Sequence, residues 1–367
     1  MKVVHLSVSR QFSSGQLKQL KYEYNASKRL EGAWTTIGFQ TGSSSEPFIK
    51  RIPFGFRSLF FRKLWGWLVA LKMSGSYDVV IVRHMTFDPF SILFAPLIRN
   101  RVSIHHAKES EELRLIRSGW KGRAAALLED YCGKLSVCKA KVVLGVTREI
   151  AEYEVEKRCP SKFIGVYPNG VETSSLPVLD DRRKVDEINI AFICGKFSSW
   201  HGLDKLFQAV ENAGDEGRSV KLTVHLIGEL FEEQKLSINS SGLLTRHFVC
   251  HGVLTSDEYY PVLEICDYGL SSLALERKSL REASTLKVRE MLALGLPVYS
   301  GHFDQALPQA TPWAKVSEAV TFGDLVEFGR SVKGIPRAIV REESLENIEK
   351  LKIMKRTLEM FKSSQVL

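Results

Sequence analysis

Short apolar runs alternate along this chain with longer stretches whose apolar residues recur every three or four positions. The short runs suit strands buried on both faces and the stretches between them suit crossover helices, so the pattern predicts parallel sheets of the α/β class. In the first half the predicted strands are Val3–Ser7, Thr35–Phe39, Asp78–Val82, Val102–His106, Lys141–Gly145 and Phe163–Tyr167, with helices at Gln16–Leu30, Trp120–Leu135 and Arg148–Glu156. A second series opens at Ile188–Cys194 and continues through Leu222–Ile227, Phe248–Cys250, Tyr268–Leu270 and Pro297–Tyr299. Its helices are Leu203–Ala213, Asp257–Cys266 and Leu286–Leu294. Between the two series, residues 172–184 are polar and carry Pro177, the composition of a linker. The expected organisation is therefore a first domain over 1–170, a linker over 171–186, a second domain over 187–345, and a C-terminal helix over 346–367 able to pack back on the first domain. Two such series predict two doubly wound, Rossmann-like domains facing each other across a cleft, with ligands beyond the carboxyl ends of the strands.

Charge changes this picture more than composition does. The hydrophobic content of 44% and charged content of 25% are ordinary for a globular chain. The net charge of +9 is uneven: residues 1–168 carry 27 Lys and Arg against 14 Asp and Glu, leaving 24 against 28 for the remainder. A basic half at +13 beside a half at −4 points to an anionic partner for the first domain, either nucleic acid or a phospholipid surface. The six cysteines show no metal-ligand spacing, and Cys194 and Cys250, inside apolar runs, read as small buried hydrophobes. No run reaches the ~20 apolar residues of a membrane-spanning helix, and the N-terminal apolar run is too short for a signal peptide. The chain reads as cytoplasmic, with reduced thiols.

The segment with the most chemistry is Glu282-Ala-Ser-Thr-Leu-Lys-Val-Arg-Glu290, followed by Met-Leu-Ala-Leu-Gly295-Leu-Pro-Val298. Ser284 or Thr285 suits a helix N-cap and Gly295 suits the left-handed position after its end. Glu282 then lies ahead of the helix and Glu290 on its second turn, with the free N–H groups of the helix start between them. Such N–H groups bind phosphate. One carboxylate is left for sugar hydroxyls and the other for a ribose, an arrangement that suits a nucleoside diphosphate sugar.

This segment resembles the E-x(7)-E region of the retaining GT-B glycosyltransferases of family four, which include enzymes of bacterial surface polysaccharide synthesis. Cys266-Asp-Tyr-Gly-Leu-Ser-Ser272 is similar to the strand that precedes the region. Gly195-Lys196-Phe-Ser-Ser-Trp-His201-Gly202 is similar to the family's phosphate loop, with His201 in place of the usual second lysine, which leaves a weaker, pH-dependent charge. Tyr167-Pro-Asn-Gly-Val171, Gly228-Glu229 and His251-Gly-Val253 match further loops in the family's order. In the first half, Ser13-Ser-Gly15 stands where the family has a Gly-Gly loop, and His105-His106 where it often carries an acceptor-side histidine. His84 follows a strand in the same way.

Residues 48–72 concentrate six cations and seven aromatic rings, among them Arg57, Arg62, Lys63, Trp65 and Trp67. Three readings stand: a membrane-surface segment, a single-stranded nucleic-acid surface, and a helix packing its tryptophans on the sheet. The charge of the first half favours the membrane.

The resemblance implies transfer of a sugar from a nucleoside diphosphate donor to a glycan or lipid-linked acceptor, with retention of configuration, at the inner face of the cell membrane. It implies neither metal nor other cofactor, and no nucleic-acid partner. Glu282, His106 and Lys196 are the expected catalytic residues. Gly15, Gly195, Lys196, His201, Gly228, Glu229, Thr285, Leu286 and Glu290 are the expected donor contacts. A sugar-nucleotide 2-epimerase and a non-catalytic donor-binding partner are the alternatives.

Overall fold

A computed structural model describes residues 1–116, 119–308 and 310–363. The chain divides into two compact units, Met1–Glu172 with the C-terminal segment from Glu349, and Thr173–Ile348. The first carries strands β1 (Val3–Val8), β2 (Trp34–Gln40), β3 (Ile49–Arg51), β4 (Val79–Arg83), β5 (Arg101–His105), β6 (Val142–Gly145) and β7 (Phe163–Val166). They form one seven-stranded sheet in the order β3-β2-β1-β4-β5-β6-β7, and every pairing is parallel. The second unit carries β8 (Ile188–Lys196), β9 (Leu222–Glu229), β10 (Phe248–Gly252), β11 (Tyr268–Leu270), β12 (Val298–Ser300) and β13 (Ala314–Val316). These order as β10-β9-β8-β11-β12-β13, again all parallel.

The strand sequences account for the layering. Val4 and Leu6 of β1 join Val80 and Val82 of β4 in one core, while Val3 of β1 joins Val79 and Ile81 in another. Successive side chains point to opposite faces of the sheet, so a strand apolar at every position needs a helical layer on both sides. Each unit meets that need with its crossover helices, and each sheet changes winding direction once: between β1 and β4 in the first, between β8 and β11 in the second.

The three-residue edge strands β3 and β13 have no counterpart among the predicted elements, because so few residues give no readable period. Cys250 corrects another expectation. It is exposed, since β10 is an edge strand with a half-open face, whereas Cys194 in the central β8 is buried.

The Lys350–Ser363 helix lays Leu351, Ile353, Met354 and Phe361 on the first sheet's core. A buried charge network anchors its start. Glu23 is fully buried and accepts from His5 Nδ1 (2.7 Å), Thr36 Oγ1 (2.9 Å) and Trp34 Nε1 (3.0 Å). Lys350 Nζ lies 3.6 Å from the other Glu23 oxygen and 3.7 Å from the centre of the Tyr167 ring. Burial alone would raise the Glu23 pKa, but the charges of His5 and Lys350 and these hydrogen bonds outweigh it and hold the carboxyl well below the usual range. Removing the Glu23 charge takes from the buried Lys350 its nearby counter-charge, an imbalance that costs about 3–5 kcal/mol. Glu23→Gln is expected to lower the urea midpoint of the first unit's unfolding and to expose the C-terminal helix to limited proteolysis. An unchanged midpoint would show that the network is neutral to stability.

Candidate functional site

In the second unit the expected site residues gather at the carboxyl ends of β8 and β9 and on the helix that follows β11. Gly195 and Lys196 end β8, and Gly228 and Glu229 end β9. Gly228 has φ +141°, and a Cβ there would stand 1.9 Å from the Cys194 carbonyl oxygen, so β9 approaches β8 as only glycine allows. Gly195 has open space where a Cβ would be, so packing does not demand glycine there. Lys196 Nζ pairs with Glu229 Oε1 at 2.6 Å and lies 4.3 Å from the centre of the Phe231 ring.

His201 departs from the expected phosphate contact. Its Nδ1 accepts the Ser198 backbone N–H at 2.9 Å, inside a short 3-10 turn that ends at Gly202 with φ +74°. Burial pushes the ring's pKa down to about 4. The side chain is therefore neutral near pH 7 and shapes the loop, and the pH-dependent cationic contact is set aside.

The Leu286–Ala293 helix has Thr285 at its N-cap, yet the Thr285 side chain does not cap it. The Thr285 hydroxyl is buried and has no hydrogen-bond partner there. Asp304 fixes the orientation of this helix start. It is fully buried, forms an ion pair with the equally buried Arg289, accepts the Thr285 N–H (3.4 Å) and accepts the Ala306 N–H (2.9 Å). Arg289 in turn donates to the Thr285 carbonyl at 3.2 Å. Lys287 stands in the first turn, 3.3 Å from Glu290 Oε2, and Glu290 is only 3% exposed. Gly295 takes φ +81° after the helix, where a Cβ would meet the Arg337 carbonyl oxygen at 2.5 Å.

Glu282 precedes the helix, bridges to Phe303 through its backbone and lines a cavity of about 780 Å³. His302 lines the same cavity. Its Nδ1 donates to the Ser272 carbonyl at 2.9 Å, which leaves Nε2 as a buried acceptor with no partner among the described residues. Burial lowers its pKa and keeps it neutral. Lys196, Thr285 and Glu290 do not line this cavity.

The sequence reading passed over Asp304, Arg289, Lys287 and His302. Lys287 was within reach of it, because a cation in the first turn of a helix opposes the dipole and so calls for a reason.

In the first unit, Gly15 lies in the first turn of the Ser14–Lys28 helix, which starts with a capping box. Ser13 Oγ accepts the Gln16 N–H (3.4 Å) while Gln16 Oε1 accepts the Ser13 N–H (3.1 Å). The capping box leaves the Gly15 N–H unused. His106 lines a cavity of about 390 Å³ beyond the ends of β1, β4 and β5. Its Nε2 is buried without a partner among the described residues, and burial holds the ring neutral.

The basic aromatic stretch resolves into a helix, Phe61–Ser74, with mixed outcomes. Trp67 is 2% exposed and donates to Asp88 at 2.5 Å, and Lys63 is buried with Nζ donating to the carbonyls of Thr86 (2.6 Å) and Phe87 (2.5 Å). Trp65 is half-buried against Phe39 and Phe56. Trp65, Trp67 and Lys63 are thus packing residues, not a membrane face. Arg57 donates to the Ile52 carbonyl (3.3 Å), and Arg62 turns toward the 390 Å³ cavity. The apolar side chains that do reach solvent are Phe54 (84%), Leu59, Phe60, Phe61 and Leu68.

Comparison with known structures places this architecture. The lipopolysaccharide outer core galactosyltransferase WaaB, in its apo form, matches with a TM-score of 0.62 at 13% identity over 99% of each chain. HepE of Anabaena in complex with UDP matches at 0.65 and 12% identity, over 99% of this chain and 100% of that one. Sucrose-phosphate synthase of Thermosynechococcus elongatus matches at 0.62 and 12% identity, also over 99% and 100%. Among sequences, an uncharacterized glycosyltransferase of Methanocaldococcus jannaschii is 22% identical over 167 residues. That match spans 43% of this chain and 42% of the relative, less than half of either. No family model matches. The chain has the GT-B fold, two parallel-sheet Rossmann-like domains.

The neutral His201 has a measurable consequence. Its unfolded pKa is near 6.5 and its folded pKa about 4, so the unfolded chain takes up the proton first as pH falls. The stability it supports is full above pH 6.5 and is lost progressively toward pH 4, by roughly 2–3 kcal/mol. NMR titration is expected to find this ring protonating near pH 4, and a value near 6.5 would return it to the phosphate-contact reading.

Proposed function

We propose that the chain is a nucleotide-sugar-dependent hexosyltransferase, the second unit holding the donor and the first the acceptor. The observation that carries this reading is the start of the Leu286–Ala293 helix. Its N-cap residue Thr285 makes no capping bond with its own hydroxyl, and the helix start is fixed by Asp304, flanked by Glu282 and Glu290, and joined by the Lys287 charge. Free N–H groups with aligned dipoles and nearby cations make an anion site that suits a diphosphate.

Negative charge develops on the diphosphate as it leaves. Donors set in advance by the fold, which need not reorganise at that moment, stabilise it most effectively. In this reading the N–H groups at Leu286 and beyond, the Thr285 hydroxyl, Lys287 and Lys196 meet that charge. Glu290 accepts from the ribose hydroxyls, Glu282 from hydroxyls of the donor sugar, and neutral His106 hydrogen-bonds the acceptor hydroxyl through Nε2. Retention of configuration and metal-independent chemistry belong to the same proposal. The HepE complexes with UDP and with UDP-glucose make UDP-hexoses the first donors to test. The similarity to WaaB, named as a lipopolysaccharide enzyme, supports a surface glycan or its lipid-linked precursor as acceptor.

Turnover of a UDP-hexose by the pure chain separates this reading from a donor-binding protein without activity. Glu290→Gln is expected to weaken UDP binding by roughly 1–3 kcal/mol, through loss of a charge-assisted contact. Glu282→Gln should lower kcat with a smaller effect on UDP affinity, and Lys196→Ala should reduce kcat/KM more than tenfold. If UDP and GDP bind all three variants as they bind the parent, the donor site lies elsewhere.

The proposed setting is cytoplasmic, peripheral to the inner face of the membrane. No helix among the described residues is long and apolar enough to cross a bilayer. Support for surface attachment comes from the exposed rings of Phe54, Phe60 and Phe61 in a unit with excess positive charge. Phe54→Ser with Phe61→Ser should release the chain from anionic vesicles in co-sedimentation, with UDP binding retained. Equal pelleting of both forms would remove the membrane from the proposal.

A further inference from the structure

The 390 Å³ cavity of the first unit lies where its sheet reverses winding direction, beyond the ends of β1 and β4. Ligands of open α/β sheets collect at such a point. Its cations come from three elements: Arg10 just after β1, Arg83 at the end of β4, and Arg62 and Lys63 on the Phe61–Ser74 helix. Among the described residues Arg10, Arg62 and Arg83 have no hydrogen-bond or ion-pair partner for their guanidinium groups. Lys63 is held by two backbone carbonyls rather than by a carboxylate.

The carboxylates on the cavity wall are Glu109 and Glu112. Burial pushes Glu109 up to about 8, so it is protonated at neutral pH, and its Oε2 accepts from the Thr86 hydroxyl at 3.2 Å. Four cations therefore face one charged carboxylate. Their mutual repulsion shows at Arg62, whose pKa is lowered by burial and by the Arg10 charge. Arg62 and Arg83 are half-buried and Arg10 is exposed; half-buried arginines are ordinarily paired, and cations that converge from three elements without a direct ion pair are complementary to an anion.

We propose that this cavity binds a phosphate group carried by the acceptor, with Arg10, Arg62 and Arg83 donating to its oxygens. Three guanidinium forks on three elements suit the three free oxygens of a phosphate monoester better than the two of a carboxylate. The cavity also holds His106 on its wall, and its volume is within the range of small-ligand sites. One sugar ring with its phosphate can thus present a neighbouring hydroxyl to the His106 ring. The acceptor class is then a phosphorylated glycan or a phosphate-bearing lipid carrier. This inference rests on the glycosyltransferase reading for the word acceptor, but the anion site itself does not.

The test uses the full chain saturated with UDP, so that the donor site is closed to competing phosphate. Calorimetric titration with glucose 6-phosphate is expected to show binding at least tenfold tighter than with glucose. Arg83→Gln and Arg10→Gln should each weaken it tenfold or more, with Arg83→Lys intermediate and UDP affinity unchanged. Phosphatidylcholine vesicles with and without phosphatidic acid form the second arm. Dependence on Arg83 for the soluble sugar phosphate assigns the phosphate to a glycan, and dependence only for phosphatidic acid assigns it to a lipid carrier. If glucose and glucose 6-phosphate bind alike and phosphatidic acid binding does not respond to Arg83→Gln and Arg10→Gln, the anion site is overturned. Failure of the parent to bind UDP would instead overturn the glycosyltransferase reading, and the phosphate titration would still judge the cavity.

Discussion

A sheet with only parallel pairings leaves little freedom for where polar chemistry can stand. Its crossover helices cover both faces, so strand interiors must be apolar on each side, as Val79 to Val82 are in β4 and Ile190 to Phe192 in β8. Polar side chains inside the strands, such as His5 and Thr36, are held by buried partners, other polar groups stand at the strand ends, and the point where the winding reverses opens a gap between diverging connections. Both units follow this constraint. In the first, Arg83 and His84 lie at the end of β4 beside the residues that follow β1. In the second, Gly195 and Lys196 end β8 while Ser271 and Ser272 follow β11. The proposed functions of the two units are consequences of one topology used twice.

Much of this was legible in the residues, because the constraint writes itself locally. Apolar runs bounded by glycine and polar residues gave the central strands, and the Thr285 to Gly295 segment carried its own start and stop signals. What could not be read depends on partners distant in sequence. His84 meets Glu129 at 2.8 Å across 45 positions, and Arg158 meets the same carboxylate at 2.8 Å across 29. No periodicity records such pairs, so the buried network beneath the first cavity was invisible. The basic aromatic stretch is a different kind of miss. Lys63, Gly66, Trp67 and Ala70, the buried residues of its helix, follow the i, i+3, i+4, i+7 spacing of a packed face. A lysine in one of those places made the face look like a charged surface. Its long apolar stem is buried here while its ammonium group reaches two carbonyls, which lets a cation occupy an inward position.

Charge counting shows a similar limit. The excess of the first half pointed to something anionic, but a count cannot say whether cations face outward or inward. Arg62 and Lys63, expected on a lipid surface, both line a cavity, and Arg101 is fully buried with its guanidinium 5.4 Å from the Trp67 ring. The basicity of this unit is in part a property of its interior, and an interior cation binds its partner under weaker screening by salt than a surface one.

The second unit makes the complementary distinction between ion pairs that must hold and pairs that can exchange. Arg289 and Asp304 are wholly buried, so breaking the pair would leave a buried charge without its counter-charge, a loss of about 3–5 kcal/mol. Lys196 and Glu229 are 44% and 56% exposed, and a pair in that setting contributes only about 0–1 kcal/mol. In the proposed donor site a diphosphate oxygen would take Lys196 from Glu229 at small loss, since a hydrogen bond to a charged group is worth about 1.5–3 kcal/mol. Glu229, released, remains at the end of β9 as an acceptor for hydroxyl groups. The rigid pair sets where the helix start points, and the exchangeable one keeps a cation in readiness at the end of β8 without burying it.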